Sequence, residues 1–306
     1  MKNAKKWWSL VLAMALALSL TACGGGAAGG ASSNADAQPE GDAEEAADVQ
    51  EAAETAEGGE EAAEIEEADN AVGDLQYVLD KGNLIIGITE FEPMDYQDTD
   101  GSWIGFDAEL AAAFAESLGV TPTFQLIDWD NKVFELNGKT IDVVWNGMTL
   151  TDEVRSAMEC SAPYFNNAQV VIVPADAAEG LDSVEAVSGL QYAVENGSAG
   201  MEQAAANGFS YTEVMDQATA LLEVSSGTAD AAIIDFLMAK AMTGPGTSYE
   251  NLAVTVSLNS EEYGVGFRKG SDLAEALNGF FRESYASGQM QEIAERYNIA
   301  EALIAQ

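Results

Sequence analysis

The chain has no histidine, only two cysteines, and few positive charges: 12 Lys and Arg stand against 52 Asp and Glu, for a formal net charge of −40. Without histidine, the commonest general base and the commonest metal ligand are both missing, which weighs against an enzyme. Sparse, unclustered Lys and Arg exclude nucleic acid as a partner, because phosphate backbones are held by dense positive charge. Cys23 and Cys160 cannot form a disulfide framework if Cys23 is modified, and Cys160 then reads as a small core residue. The apolar run from Trp7 to Leu20 is short for crossing a bilayer.

That run instead follows Lys2, Lys5 and Lys6 and precedes Leu20-Thr21-Ala22-Cys23, the layout of a secretory signal peptide over residues 1–22. Cysteine directly after Leu-Thr-Ala resembles the lipobox of bacterial lipoproteins, which implies lipidation of Cys23. The alternative is an ordinary signal with an incidental cysteine. Residues 23–70 then change character. From residue 24 they carry fifteen acidic residues and no Lys or Arg. Such a segment buries too little apolar surface to offset its ordering entropy and is expected to be disordered. As a flexible tether it spans roughly 35–40 Å, and more with charge repulsion. Gly24-Gly25-Gly26 is a linker, not a phosphate loop, since it lies between no strand and no helix.

From Ala71 onward the chain is long enough for two lobes with separate cores. Leu84–Ile88 is a continuous apolar run, as in a strand buried on both faces. Asp107 is placed as an N-cap, with Leu110, Phe114 and Leu118 on one helix face and Gly119 as its end. Thr123–Ile127, Ile141–Trp145, Val170–Val173, Gln191–Val194, Tyr211–Val214 and Ala231–Ile234 are further strand candidates. Helical patterns alternate with them, which predicts mostly parallel sheets. Ser198 caps a helix running through Ala206. Asp98-Thr99-Asp100-Gly101 mimics a calcium loop but lacks its first and last ligands, and it reads as a hairpin turn. The boundaries expected are 71–169 with 258–306 for lobe 1 and 170–257 for lobe 2.

The ordered set Gly87 with Pro93-Met94, Gly105-Phe106-Asp107, Gly138-Lys139 with Asp142, and Gly147-Met148-Thr149-Leu150-Thr151 resembles the extracellular solute-binding proteins, family 3. These are the polar amino-acid-binding proteins of ABC transporters. Ser161-Ala162-Pro163-Tyr164, Gly197-Ser198, Ala229-Asp230-Ala231 and Gly264 to Lys269 continue the match, which covers roughly residues 80 to 300. The resemblance implies an α/β, type II periplasmic-binding-protein fold: two α/β lobes joined by a two-strand hinge and closing on a small ligand, without a cofactor or metal. It also implies the residues that hold a zwitterion. Asn146, Gly147, Met148 and Thr149 fall where the family meets the head group from the first lobe, and Ser198 and Ala199 where helix amides receive a carboxylate. Asp235 falls where a carboxylate pairs with the ammonium, and Phe91 and Trp129 where aromatic walls sandwich the ligand. Glu90 lies near the implied side-chain pocket or faces solvent.

Each of these has a plainer reading. Ser198 and Asp235 serve equally as helix caps, Phe91 and Trp129 as core aromatics, and Thr149 as a strand-end hydroxyl. One departure stands out. The family places arginine three residues after the second threonine of Thr-Leu-Thr, where this chain has Val154; Arg155 follows and either takes over the carboxylate or lies on the surface. The resulting expectation is a monomeric receptor, lipid-anchored at the extracytoplasmic face of the cell membrane. It captures a polar amino acid by hinge closure and delivers it to a permease. A dehydratase-like enzyme on the same fold, or a sensor domain feeding a signalling partner, are the alternatives.

Overall fold

The computed structural model describes residues 73–306. The expected signal peptide, Cys23 and acidic tether lie outside the described residues.

Helix α1 (Asp74–Lys81) ends at Gly82, whose φ of +74° lets the chain turn into β1 (Asn83–Ile88). A hairpin of β2 (Tyr96–Gln97) and β3 (Trp103–Ile104) closes over Asp100 and Gly101, as expected of the calcium-loop look-alike. Then come α2 (Phe106–Ser117), β4 (Thr121–Leu126), α3 (Lys132–Asn137), β5 (Val143–Thr149) and α4 (Asp152–Ala157). Short strands β6 (Glu159–Cys160) and β7 (Phe165–Asn167) lead to β8 (Gln169–Pro174). The next stretch alternates α5 (Val184–Val187), β9 (Gln191–Glu195), α6 (Ala199–Ala206), β10 (Ser210–Val214), α7 (Gln217–Ser226), β11 (Ala231–Asp235) and α8 (Phe236–Met242). Strands β12 (Leu252–Ser257) and β13 (Glu261–Phe267) precede α9 (Leu273–Ser287) and α10 (Gln289–Arg296).

These strands form two main sheets. The first has the order β4-β1-β5-β13-β6, with β7 also on β13, and the second β10-β9-β11-β8-β12. In each, three strands run parallel, and one crossover strand pairs antiparallel to that set: β13 beside β5 in the first sheet and β8 beside β11 in the second. Only two connections pass between the sheets, at Ala168 between β7 and β8 and at 258–260 between β12 and β13. This is the two-lobed α/β architecture.

The first lobe's core is aromatic. Trp145 on β5 packs edge-on against Phe281 of α9 and near Phe114 of α2, so the C-terminal helix covers the first sheet. Arg268, just past β13, fastens this return. It donates to Asp74 at 2.9 and 3.0 Å and to the carbonyls of Leu136 and Ile141. Its Nη2 lies 3.6 Å from buried Asp142, an ionic contact rather than a hydrogen bond. Asp142 also accepts from Lys81 and from the Ile85 amide. Cys160, expected in the core, is only half-buried on β6, because that short strand lies at the sheet's edge.

Asp107 is not an N-cap. Gly105, at φ +119°, caps α2, and the Asp107 side chain inside the first turn is fully buried. It accepts from the Gly147 amide at 2.6 Å and from the Tyr164 hydroxyl at 2.8 Å. The pull of two buried donors outweighs capping here.

Removing Arg268 leaves Asp142 with Lys81 as its cation but takes the hydrogen bonds from Asp74 and from the Leu136 and Ile141 carbonyls. Arg268→Ala should lower stability by about 1–3 kcal/mol, read from the midpoint and slope of urea unfolding; a change within about 0.5 kcal/mol would contradict this role.

Candidate functional site

Parallel sheets offer their ligand-binding crevices at the carboxyl ends of the strands. Here the ends of β1, β5, β9 and β11 meet at one cavity between the lobes, of about 880 Å³ including its mouth. Phe91, Trp129, Asn146, Gly147, Met148 and Thr149 line it from the first lobe, and Ser198, Ala199 and Asp235 from the second. The sequence therefore brings these residues into one space.

Glu90 and Arg155 are not among the cavity's walls. Arg155 is exposed and borders a separate, shallower groove beside Asn259 and Glu262. Val154 is buried and faces the cavity in its place, since adjacent helical residues point in directions about 100° apart. Thr151 caps that helix and fixes its phase, accepting from the Val154 amide at 3.2 Å.

The first-lobe floor is built on buried polar pairs. Asn146 accepts from the Thr89 amide and hydroxyl and donates to the Thr89 carbonyl and to Asp95. Gly147 sits at φ +54° with its amide on Asp107, and a Cβ there would lie 2.4 Å from the Phe91 ring. Glycine alone satisfies both constraints. Burial and mutual repulsion hold Asp95 well above the usual carboxylate range, and burial lifts Asp107 to about 7.

In the second lobe, Ser198 accepts from the Met201 amide at 3.1 Å, so its hydroxyl does cap α6. The first amides of that helix have no partners within the helix and point toward its N-terminal end, as in any helix. Asp235 does not cap α8 with its side chain. Its Oδ1 accepts from Asn167 at 2.5 Å and Tyr263 at 2.7 Å, and its Oδ2 from Gln217 at 2.5 Å. A carboxylate has about four acceptor positions, so Oδ2 keeps one for another donor. Burial, then repulsion from Glu261, raises Asp235 to about 7. Glu261 in turn accepts from Thr149, Asn167 and Gln169, at 2.7 to 2.9 Å. That joins the floor of one lobe to the crossover strand of the other.

Three functional candidates gave no signal in the sequence: Lys132, Glu195 and Gln217. Lys132 is buried, and its ammonium donates to the carbonyl of Gly197 across the cleft at 2.9 Å and to that of Trp129. It lies 4.9 Å from the Trp129 ring centroid, and burial lowers its pKa. It is the one Lys or Arg among the cavity's lining residues. Gln217 accepts from the Asp235 amide and donates to both Asp235 and Glu195. Glu195 is buried, lifted to about 8 by burial and by nearby Asp235, and its Oε1 has no partner. A run reading Glu-Asn-Gly looks like a turn, and Lys132 after Asp-Asn looks like surface; only the tertiary fold brings them inside.

The model of the bacterial extracellular solute-binding proteins, family 3, matches residues 84–300. The chain belongs to that family. The L-cystine-binding protein TcyJ of Escherichia coli (strain K12) is 29% identical to it over 230 residues, 74% of this chain and 86% of that protein. The arginine-binding extracellular protein ArtP of Bacillus subtilis (strain 168) is 28% identical over 225 residues, covering 71% and 86%. The solved structure of an ABC uptake transporter substrate-binding protein from Streptococcus pneumoniae with bound histidine superposes with a TM-score of 0.68. It is 29% identical, and the match covers 74% of this chain and 96% of that one. The family's two-lobed fold and solute-binding role thus apply to this chain.

Asp107, Asp235 and Glu195 all titrate above their unfolded values, so the native state binds more protons than the unfolded one between about pH 4 and pH 8. The stability from these groups is complete below their unfolded pKa values and is lost as pH rises through the folded ones. The ligand-free protein should therefore melt at a higher temperature at pH 5 than at pH 8.5. A melting temperature that rises across this interval would contradict it.

Proposed function

We propose that this chain is the extracytoplasmic substrate-binding component of an amino-acid ABC transporter, acting as a monomer tethered to the cell membrane through lipid on Cys23. Its task is to hold a polar amino acid between the lobes and present it to the permease. The observation that carries this reading is the polarity of the interlobe cavity at the strand ends. The free acceptor position on Asp235 suits an ammonium, and the α6 amides with Lys132 suit a carboxylate. Phe91, Trp129 and Met148 supply apolar walls, and Asn146, Gly147 and Thr149 the first-lobe polar floor.

Lys132 supports a cation moved within the cleft. Where the family resemblance implies an arginine at position 154, this chain has valine, and the positive charge enters from α3 instead. Closure stabilises the bound state because ligand held by one lobe gains contacts from the other. The Lys132–Gly197 contact adds a bridge made only when the lobes meet. Gly197 also passes so near Asp130 that a Cβ on it would lie 2.9 Å from the Asp130 backbone. The relatives named for binding cystine, arginine and histidine favour an amino acid as solute. Binding without turnover fits a chain with no histidine.

Calorimetry of the ligand-stripped protein against the twenty amino acids and cystine should find at least one tight ligand, and Asp235→Ala should weaken it by roughly 100-fold or more. Failure of every candidate with well-folded protein would sink the reading. Separately, Cys23→Ala should move the protein from the membrane fraction to the soluble one; unchanged membrane association would remove the lipid anchor.

A further inference from the structure

Buried carboxylates in proteins are paired or hydrogen-bonded, because desolvating a charge without compensation is expensive. Among the residues lining the cavity, one atom breaks this rule. Glu195, at the carboxyl end of β9, is 3% exposed and lines the cavity, yet its Oε1 has no hydrogen-bond partner. Its Oε2 receives one long contact, 3.4 Å from the Gln217 amide. That same amide lies 2.5 Å from Asp235, so the two carboxylates share one neutral donor. The cation that faces them from the first lobe, Lys132, spends its contacts on the carbonyls of Trp129 and Gly197.

The charge balance of the walls points the same way. Asp130, Glu153 and Glu202 also border the cavity, against Lys132 as its one cation. A zwitterion that places its ammonium on Asp235 brings no net charge and leaves Glu195 as it was. A second positive group on the ligand would fill the vacant Oε1 and offset the surplus.

We propose that the cleft selects an amino acid whose side chain carries a positive charge, and that Glu195 is the residue that recognises that charge. This inference rests on the proposed amino-acid-binding role and narrows it. Asp235 is then left to the α-ammonium, and Gln217 sets the spacing of the two acids. Glu195 faces Asp235 on β11, Asp216 and Gln217 at the start of α7, and Lys132 from the other lobe. With the cleft empty, burial and Asp235 hold it near pKa 8, so it is largely protonated at neutral pH; a ligand cation draws that proton off.

The test pairs each cationic amino acid with a neutral isostere: arginine with citrulline and lysine with norleucine, plus cadaverine as lysine without its carboxylate. Calorimetry at pH 7 should show at least one cationic amino acid binding roughly 30-fold or more tighter than its isostere. Binding should release protons, detected as a heat that varies with the buffer's ionisation enthalpy. In Glu195→Gln that preference should vanish, leaving the cationic amino acid and its isostere bound within about threefold of one another, and the proton release should fall to the share that comes from Asp235. A wild-type preference for citrulline, norleucine or glutamate, or a Glu195→Gln variant that keeps the cation preference, would overturn the inference and leave the amino-acid-binding role intact. Cadaverine binding that needs Glu195, with no amino acid bound, would uphold the charge recognition and sink the amino-acid reading. Binding of none of these would overturn the inference, and would overturn the amino-acid-binding role with it only if the rest of the twenty amino acids and cystine also fail to bind.

Discussion

The cleft depends on buried carboxylates held by neutral donors. Asp107 is gripped by a backbone amide and the Tyr164 hydroxyl, Asp235 by Asn167, Gln217 and Tyr263, and the half-buried Glu261 beside them by Thr149, Asn167 and Gln169. Neutral donors position an acid without cancelling its charge. Contrast Asp142 away from the cleft, which sits against Lys81 and Arg268 and fastens structure. The same residue type is thus used in two ways: neutralised where the fold needs permanence, and left uncompensated where it awaits a ligand.

Carboxylates at the cleft are consequently expensive to ionise, which is why burial pushes Asp107, Asp235 and Glu195 upward together. Sites that bind or react concentrate such perturbed groups. In a binding protein the cost has a use. A cationic ligand relieves repulsion that the empty cleft retains, so its affinity includes the release of that repulsion as well as new contacts. The link between the lobes runs through these acids too, since Tyr263 of the first sheet donates to Asp235 of the second, and Glu261 on β13 accepts from both Thr149 of the first sheet and Gln169 of the second.

Much of this was legible in the sequence, for identifiable reasons. Continuous apolar runs such as Leu84–Ile88 and Ala231–Ile234 mark strands buried on both faces, and they lie in the two sheets. Ser198 read as a cap and is one. Other residues were opaque because their roles come from tertiary contacts. Asp107 has the composition of an N-cap, but Gly147 and Tyr164, distant in sequence, claim its side chain. Val154 and Arg155 differ by one residue, and only the phase of α4 decides which faces the cavity. Lys132 and Glu195 look like surface charges until two lobes close over them. Glu195 in particular carries no local signal, since strand burial at β9 would argue for an apolar residue there.

The central claim is that the cleft's acids are held neutral or repelled until a ligand compensates them. Carboxyl carbon NMR titration of Asp235 and Glu195, with the cleft empty and then saturated with the tightest-binding amino acid, tests it directly. Both carboxyls should titrate near 7 to 8 when empty, and both midpoints should drop when ligand is bound. Midpoints that stay in place on saturation, or that already lie in the ordinary carboxylate range without ligand, would contradict the account.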